Sequence, residues 1–275
     1  MTRIVGVHGV GNYAADLDPV AAAEDLSVAW TRALGERLDR EVDLRVAYYA
    51  HHLRSEQAQG ATENSVLLPG TMAAVQTWVR ALGAPAEVGQ GRLTQPLRQI
   101  VEWVAKRYGL DKKLVHWFIA TFFSEVEAYL RDRDGQNRKA AISAVVSVLE
   151  DHRPDIVIAH SLGSVVTYEA LNTLPDLPID LFITLGSPLA MPDVVYQRVI
   201  TPIGTPAGRS LPRPPGVRRW VNVADVGDLI AIPPRLAGFF DVDEDLQEQI
   251  SLFDFHRVRK YLGSRTVAAL VAALP

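Results

Sequence analysis

A serine at position 161 lies in the run Val157-Ile-Ala-His-Ser-Leu-Gly163, between an apolar, β-branched stretch (Asp155–Ala159) and a segment whose apolar residues recur at helical spacing: Leu162, Val165, Val166, Ala170 and Leu174. Where a buried strand turns sharply into a helix, the tip residue is held in a strained backbone conformation with its side chain clear of both elements. The residues two before and two after must be small, because strand and helix backbones pass close to each other. Ala159 and Gly163 meet that need, giving a nucleophile elbow. Taken alone, the same five residues also fit a serine capping an ordinary helix. The chemistry available to such a serine is acyl transfer. A hydroxyl is a poor nucleophile until a neutral imidazole takes its proton, and a buried carboxylate on the second ring nitrogen fixes the tautomer. Two backbone N–H donors then stabilise the oxyanion, each worth roughly 3 kcal/mol of barrier.

Three further segments occur in the order such a site needs. The chain opens with Arg3-Ile-Val-Gly-Val-His-Gly-Val-Gly-Asn12, a buried strand running into a His-Gly-x-Gly turn. Phe182-Ile-Thr-Leu-Gly-Ser-Pro-Leu189 follows the elbow helix, and Trp220–Pro234 contains Ala-Asp225-Val-Gly-Asp228-Leu. His256 stands near the C-terminus in Asp-Phe-His-Arg-Val-Arg-Lys-Tyr. Together these blocks resemble the alpha/beta-hydrolase superfamily, and within it lipases and intracellular phospholipase A1-like esterases. The serine–aspartate–histidine order is the order of that fold.

The resemblance implies a role for each matched residue. Ser161 is the nucleophile, His256 the general base and acid, and the N–H groups of Val10 and Leu162 form the oxyanion hole. His8, Gly9, His160 and Ser187 line the site. Two carboxylates compete as the third triad member. Asp228 begins a turn similar to the acid turn of those relatives and is favoured; Asp225 is the alternative acid, and its side chain is also placed to cap the turn.

Other chemistries fit less well. Gly9-x-Gly11-x-x-Ala14 after a strand matches a dinucleotide fingerprint. That reading needs a helix beginning near Gly11 and an acid at the end of the next strand. Asp18-Pro19 instead marks a later helix start, and the next strand ends Tyr48-Tyr-Ala-His-His with no acid. His51 and His52 are expected at the end of that strand, pointing to opposite faces and making a poor chelate. His116, in an apolar run, is expected to be a hydrogen-bonded core residue. With no H-E-x-x-H and no cysteine, neither a metal nor a cofactor is expected.

The 275 residues, 48% hydrophobic, suffice for one α/β domain with a full core. The net charge of −4 leaves no electrostatic footprint for nucleic acid. The first strand begins at once after Met1, so no signal peptide is expected and the reading is cytoplasmic.

The expected fold is an alpha/beta-hydrolase fold: a mostly parallel sheet with helices on both faces and a helical insertion or cap at about 55–135. Strands are placed at 3–8, 42–50, 180–186 and 219–224 besides the elbow strand. Helices are placed at 19–38 and 256–273, and a loop at 201–216. In the insertion, Met72, Val75, Trp78, Val79 and Leu82 form one helical stripe, and Leu97, Ile100, Val101, Val104 and Tyr108 another. Leu114–Ser124 is apolar nearly all round but too short to span a bilayer. Its aromatics Trp117, Phe118, Phe122 and Phe123 either pack the insertion onto the sheet or form a cap that receives an acyl chain or touches a membrane surface.

The sequence therefore reads as a serine hydrolase acting on carboxylic esters, lipid-like or otherwise apolar in the acyl part. The alternatives are a peptidase or acyltransferase with the same triad, and a hydrolase-fold interaction module without turnover.

Overall fold

The structure is a computed structural model that describes residues 1–53, 67–89, 96–200, 210–249 and 257–274. Six strands form one sheet: β1 (Thr2–Val7), β2 (Val42–Ala47), β3 (Ile156–His160), β4 (Ile179–Leu185), β5 (Val217–Asp225) and β6 (Glu244–Glu248). They lie in the order β2-β1-β3-β4-β5-β6, and every pairing among these described strands is parallel. The sheet alternates its side chains between two cores. Val5, Val7, Val157, Ala159, Phe182 and Trp220 face one; Ile4, Ile156, Ile158, Leu181, Ile183 and Val221 face the other.

Helices cover both faces. Helix α1 (Pro19–Gly35) packs Trp30, Ala33 and Leu34 against the second core, together with α9 (Val258–Leu262) and α10 (Arg265–Ala272). The first core receives α2 (Pro69–Ala81), α4 (Pro96–Tyr108), α5 (Lys112–Leu130), α6 (Gln136–His152) and α7 (Leu162–Asn172). Two short helices, α3 (Ala86–Gly89) and α8 (Tyr196–Ile200), complete the set among the described residues. This α/β architecture, a parallel sheet flanked by helices, is consistent with the general alpha/beta-hydrolase topology class. The chain steps from β1 outward to β2, then returns past β1 to β3. Connections leaving β1 and β3 therefore diverge onto opposite faces, and a crevice opens at the carboxyl ends of those two strands. In open α/β sheets that switch point is where ligands bind.

Local signals set the boundaries. Asp18 caps α1, its carboxylate accepting from Val20 N and Ala21 N at 2.9 and 3.0 Å, with Pro19 at the first helical position. The closing helix expected at 256–273 is instead two helices. Gly263 ends α9, and Ser264 starts α10 by accepting from Val267 N.

Strand β6 has no counterpart in the hydropathy pattern, because it docks through polar groups. Asp243 accepts from Trp220 N at 2.8 Å and pairs with Arg213. Arg219 pairs with Glu244 across the strands, and Asn222 donates to Asp245 at 2.8 Å. The stretch expected as a loop is described from 210 onward, and there it carries only a single bridge, Leu211 to Phe240.

The helical block between β2 and α6 is tied to the sheet at defined points. Trp78 of α2 donates to Leu229 O at 2.7 Å and packs on Phe123 of α5. Arg198 of α8 pairs with Glu127 of α5 at 2.6 Å. Arg138, Glu169 and Tyr129 form a mostly buried cluster joining α6, α7 and α5. Among the described residues, no helix is long and apolar enough to cross a membrane.

Candidate functional site

Ser161 stands where β3 meets α7, with φ 54° and ψ −130°, and is fully buried. A non-glycine residue at positive φ is uncommon, and such strain persists only where the surroundings enforce it. Here two close approaches enforce it. A Cβ on Gly163 would lie 2.3 Å from His8 O and 2.6 Å from Val7 O, so α7 can start against the end of β1 only with glycine at that position. A Cβ on Gly9 would lie 2.6 Å from Ser161 Cβ and 2.9 Å from His160 Nδ1. The His-Gly-Val-Gly turn and the serine are thus in contact, on the two strands that flank the switch point. Val10 and Leu162 lie in that turn and at the first position of α7.

His8 shapes this turn. Tyr49 N–H donates to His8 Nε2 at 3.1 Å, so the ring proton sits on Nδ1 and donates to Gly9 O at 2.7 Å. The imidazole stacks on Tyr49, whose hydroxyl donates to His8 O at 2.8 Å. Complete burial drives its pKa down to about 4, so the ring is neutral at pH 7. Asn12 Nδ2 donates to Gly9 O and Val10 O at 2.9 and 3.1 Å, closing the turn.

A one-way chain of hydroxyls ties the elbow to the loop after β4. Leu189 N–H donates to Ser187 Oγ at 3.2 Å, and Ser164 Oγ donates to Ser161 O at 2.6 Å. The Ser187 proton must therefore go to Ser164 Oγ, 2.6 Å away. Ser161 N donates to Leu185 O, placing the serine beside the end of β4.

The two aspartates differ in what they hold. Asp225 ends β5, and its Oδ1 accepts from Gly227 N at 3.2 Å, a local turn bond. Asp228 reaches back over β4: its Oδ2 lies 2.6 Å from where a Cβ on Gly186 would be, and Gly186 takes φ 53°. That carboxylate accepts from Tyr261 OH and Ile230 N, at 2.8 and 2.9 Å. Tyr261 OH in turn accepts from Asp225 N at 2.8 Å. Burial first, and then the Asp228 carboxylate, hold the Tyr261 pKa far above the usual tyrosine range, so it remains a donor. The structure thus brings Ser161, His8, Gly9, His160, Ser187 and Asp228 to the carboxyl ends of β1, β3 and β4, with Asp225 at the end of β5. His256 lies outside the described residues.

Several expectations need correction. His51 and His52 sit on a single 3-10 turn (Ala50–His52), not on a strand, and their rings are 3.8 Å apart rather than on opposite faces. His116 is buried, but its Nε2 has no hydrogen-bond partner among the described residues. The aromatics of α5 divide. Phe122 and Phe123 are fully buried in the core and Phe118 partly so, whereas Trp117 is 49% exposed. The buried His152 also meets Asp43, whose carboxylate is partly exposed, Nε2 lying 3.0 Å from the Asp43 carbonyl oxygen and 3.8 Å from its Oδ1. It sits at the amino end of the sheet, where Asp43 pairs with Arg3. Among the described residues, no three His, Cys, Asp or Glu side chains gather as a metal site.

Sequence reasoning missed Ser164, Tyr261 and Glu125. Ser164 directly follows the run Val157–Gly163, and Tyr261 lies five residues after His256, so both stand at the edge of the segments that carry the resemblance. No family model matches the chain, and comparison with curated proteins gave no match.

Proposed function

We propose that the protein is a serine hydrolase that cleaves carboxylic esters through an acyl-enzyme. In this reading Ser161 attacks the acyl carbon, His256 takes the hydroxyl proton and returns it to the leaving alcohol, and Asp228 orients the histidine. Val10 N–H and Leu162 N–H receive the oxyanion. Water then hydrolyses the acyl-serine by the same proton path in reverse.

One observation carries the reading. A fully buried serine is held at φ 54° on the switch point of a parallel sheet, pressed against a His-Gly-Val-Gly turn. The Asp228 carboxylate, folded back over Gly186 toward the strand next to Ser161, adds support. An apolar acyl group is favoured because Trp117 lies against Gly11 of that turn, with Leu114 exposed one helical turn earlier.

A fluorophosphonate probe tests the assignment. Wild-type protein should label and hydrolyse p-nitrophenyl esters, and Ser161→Ala should do neither while keeping its melting temperature. The expected loss in turnover is on the order of a million-fold, as in other triads. Labelling of Ser161→Ala, or activity within tenfold of wild type, removes the serine from the mechanism. A wild-type protein that neither labels nor turns over any ester is an interaction module on a hydrolase fold.

A further inference from the structure

Helix α5 crosses the turn that follows β1. The ring of Trp117 lies 3.5–3.7 Å, and Thr121 Cγ2 3.7 Å, from where a Cβ on Gly11 would stand. Glu125 Oε1 accepts from Gly11 N at 2.9 Å. These three side chains recur every four residues and form one stripe of the helix, laid on one glycine with φ 72°. Glu125 is buried, and its Oε2 has no hydrogen-bond partner among the described residues.

A carboxyl buried on a mainly apolar helix with a single backbone bond is costly to keep. Phe122, Phe123 and Trp78 already fasten the block to the core, so anchoring alone does not call for it. What the bond does fix is the Val10–Gly11 peptide. Gly11 N is held by Glu125 on one side, and Val10 O by Asn12 on the other. The preceding Gly9–Val10 peptide, which carries Val10 N–H, is held through Gly9 O by His8 Nδ1 and Asn12 Nδ2. With the peptides on both sides of its Cα held, Val10 keeps one backbone conformation, and Glu125 supplies the hold on the C-terminal side.

On the reading that Ser161 is the nucleophile, we propose that Glu125 is a positioning residue for the oxyanion hole, latching helix α5 to Gly11 so that Val10 N–H is aimed at the reacting oxygen. Burial pushes its pKa up to about 7, so below neutrality the latch carries no full negative charge beside the developing oxyanion.

The test uses the full chain with two variants that keep the side-chain volume. Glu125→Met removes the acceptor; Glu125→Gln keeps an oxygen that can accept from Gly11 N–H. With p-nitrophenyl acetate and octanoate, Glu125→Met should lower kcat about tenfold to a hundredfold at KM within twofold, since a misaligned oxyanion donor acts on the transition state alone. Its rate of fluorophosphonate labelling should fall in parallel, and Glu125→Gln should recover most of both. Should the methionine variant fail to fold, Glu125→Asp draws the carboxyl back by one methylene and must show the same loss of kcat at unchanged KM.

Equal kcat per folded molecule in all variants, with only the melting temperature lowered, overturns the proposal. So does a rise in KM at unchanged kcat, which would place Glu125 in substrate binding. If Ser161→Ala still labels, the proposed function has failed. If Ser161→Ala is inert while the Glu125 variants match wild type, only the latch has failed.

Discussion

The two ends of the sheet carry similar chemical groups in different physical states. At the amino end, His152 bonds the Asp43 carbonyl beside a carboxylate that is 42% exposed, and Asp155 accepts from Arg3 N and pairs with its guanidinium. These groups tie α6 to the edge strand β2 and the start of β3 to β1. At the carboxyl end, Ser161, His8, Ser187, Asp225 and Asp228 are all buried, and Ser161, Gly11 and Gly186 take positive φ. Strand β3 is five residues long, so the two ends lie roughly 16 Å apart. A histidine beside an exposed aspartate brings no backbone strain with it. At the carboxyl end buried polar groups and backbone strain gather where the strand order reverses, and the proposed site rests on that combination.

The same substitution made at both ends gives the largest contrast. Asp228→Asn should leave the histidine in the wrong tautomer and lower turnover by up to about ten-thousand-fold. Asp43→Asn keeps the carbonyl that His152 uses and should leave kcat/KM within about twofold, because an exposed carboxylate contributes ~1 kcal/mol or less. Asp225→Asn disturbs a turn bond worth about 1 kcal/mol and should act on the melting temperature. A kinetic loss that followed Asp225, or Asp43, would relocate the triad acid.

The carboxyl end was the more legible in the sequence, because its constraints are steric and local. Ala159 and Gly163 around Ser161, and glycines 9 and 11 after a β-branched strand, are needed wherever backbones pass this closely. The order in which those segments recur then narrowed the fold. What escaped reading depends on long-range pairing. Strand β6 is recruited by acids bonding to Arg219, Trp220 and Asn222, so no apolar alternation announced it. His51 and His52 were placed by a tight turn that apolar patterning does not encode. Glu125 reads as a charge closing an apolar run until Gly11 is seen beneath it, 114 residues away in sequence.

The aromatics of helix α5 differ in where they lie. Phe122 and Phe123 are core; Trp117 is at the turn. Phe123→Ala should cost 3–5 kcal/mol of stability, about the loss seen for buried aromatics, and reduce activity toward all esters alike. Trp117→Ala should cost little stability and penalise long-chain esters more than acetate. Each methylene that leaves an apolar contact forfeits up to about 0.8 kcal/mol. A flat chain-length profile for Trp117→Ala would remove the apolar acyl group from the proposal and leave the triad untouched.

The last contrast concerns two titrating groups bonded to the same turn, His8 and Glu125. His8 is held neutral, its pKa lowered from 6.5 to about 4 by burial and, secondarily, the neighbouring His51. Between those values the unfolded chain binds the extra proton, so His8 contributes stability above pH 6.5 that is lost as pH falls toward 4. Glu125 is shifted from 4.5 up to about 7, chiefly by burial and against its bond from Gly11. Here the native state holds the extra proton, so the contribution is present below pH 4.5 and is lost as pH rises through 7. Each shift is worth about 3 kcal/mol over its window. Across pH 4.5 to 6.5 the two slopes oppose each other, and wild-type stability from these groups should be nearly level. Glu125→Gln removes one slope and leaves the other. Urea unfolding should then show the variant gaining up to about 3 kcal/mol relative to wild type between pH 4.5 and 7, with the m-value unchanged. A constant difference across that range would mean that Glu125 ionises as freely in the folded protein as in the unfolded chain. The carboxyl would then reach water, and the tight packing of α5 on the Gly11 turn would have to open.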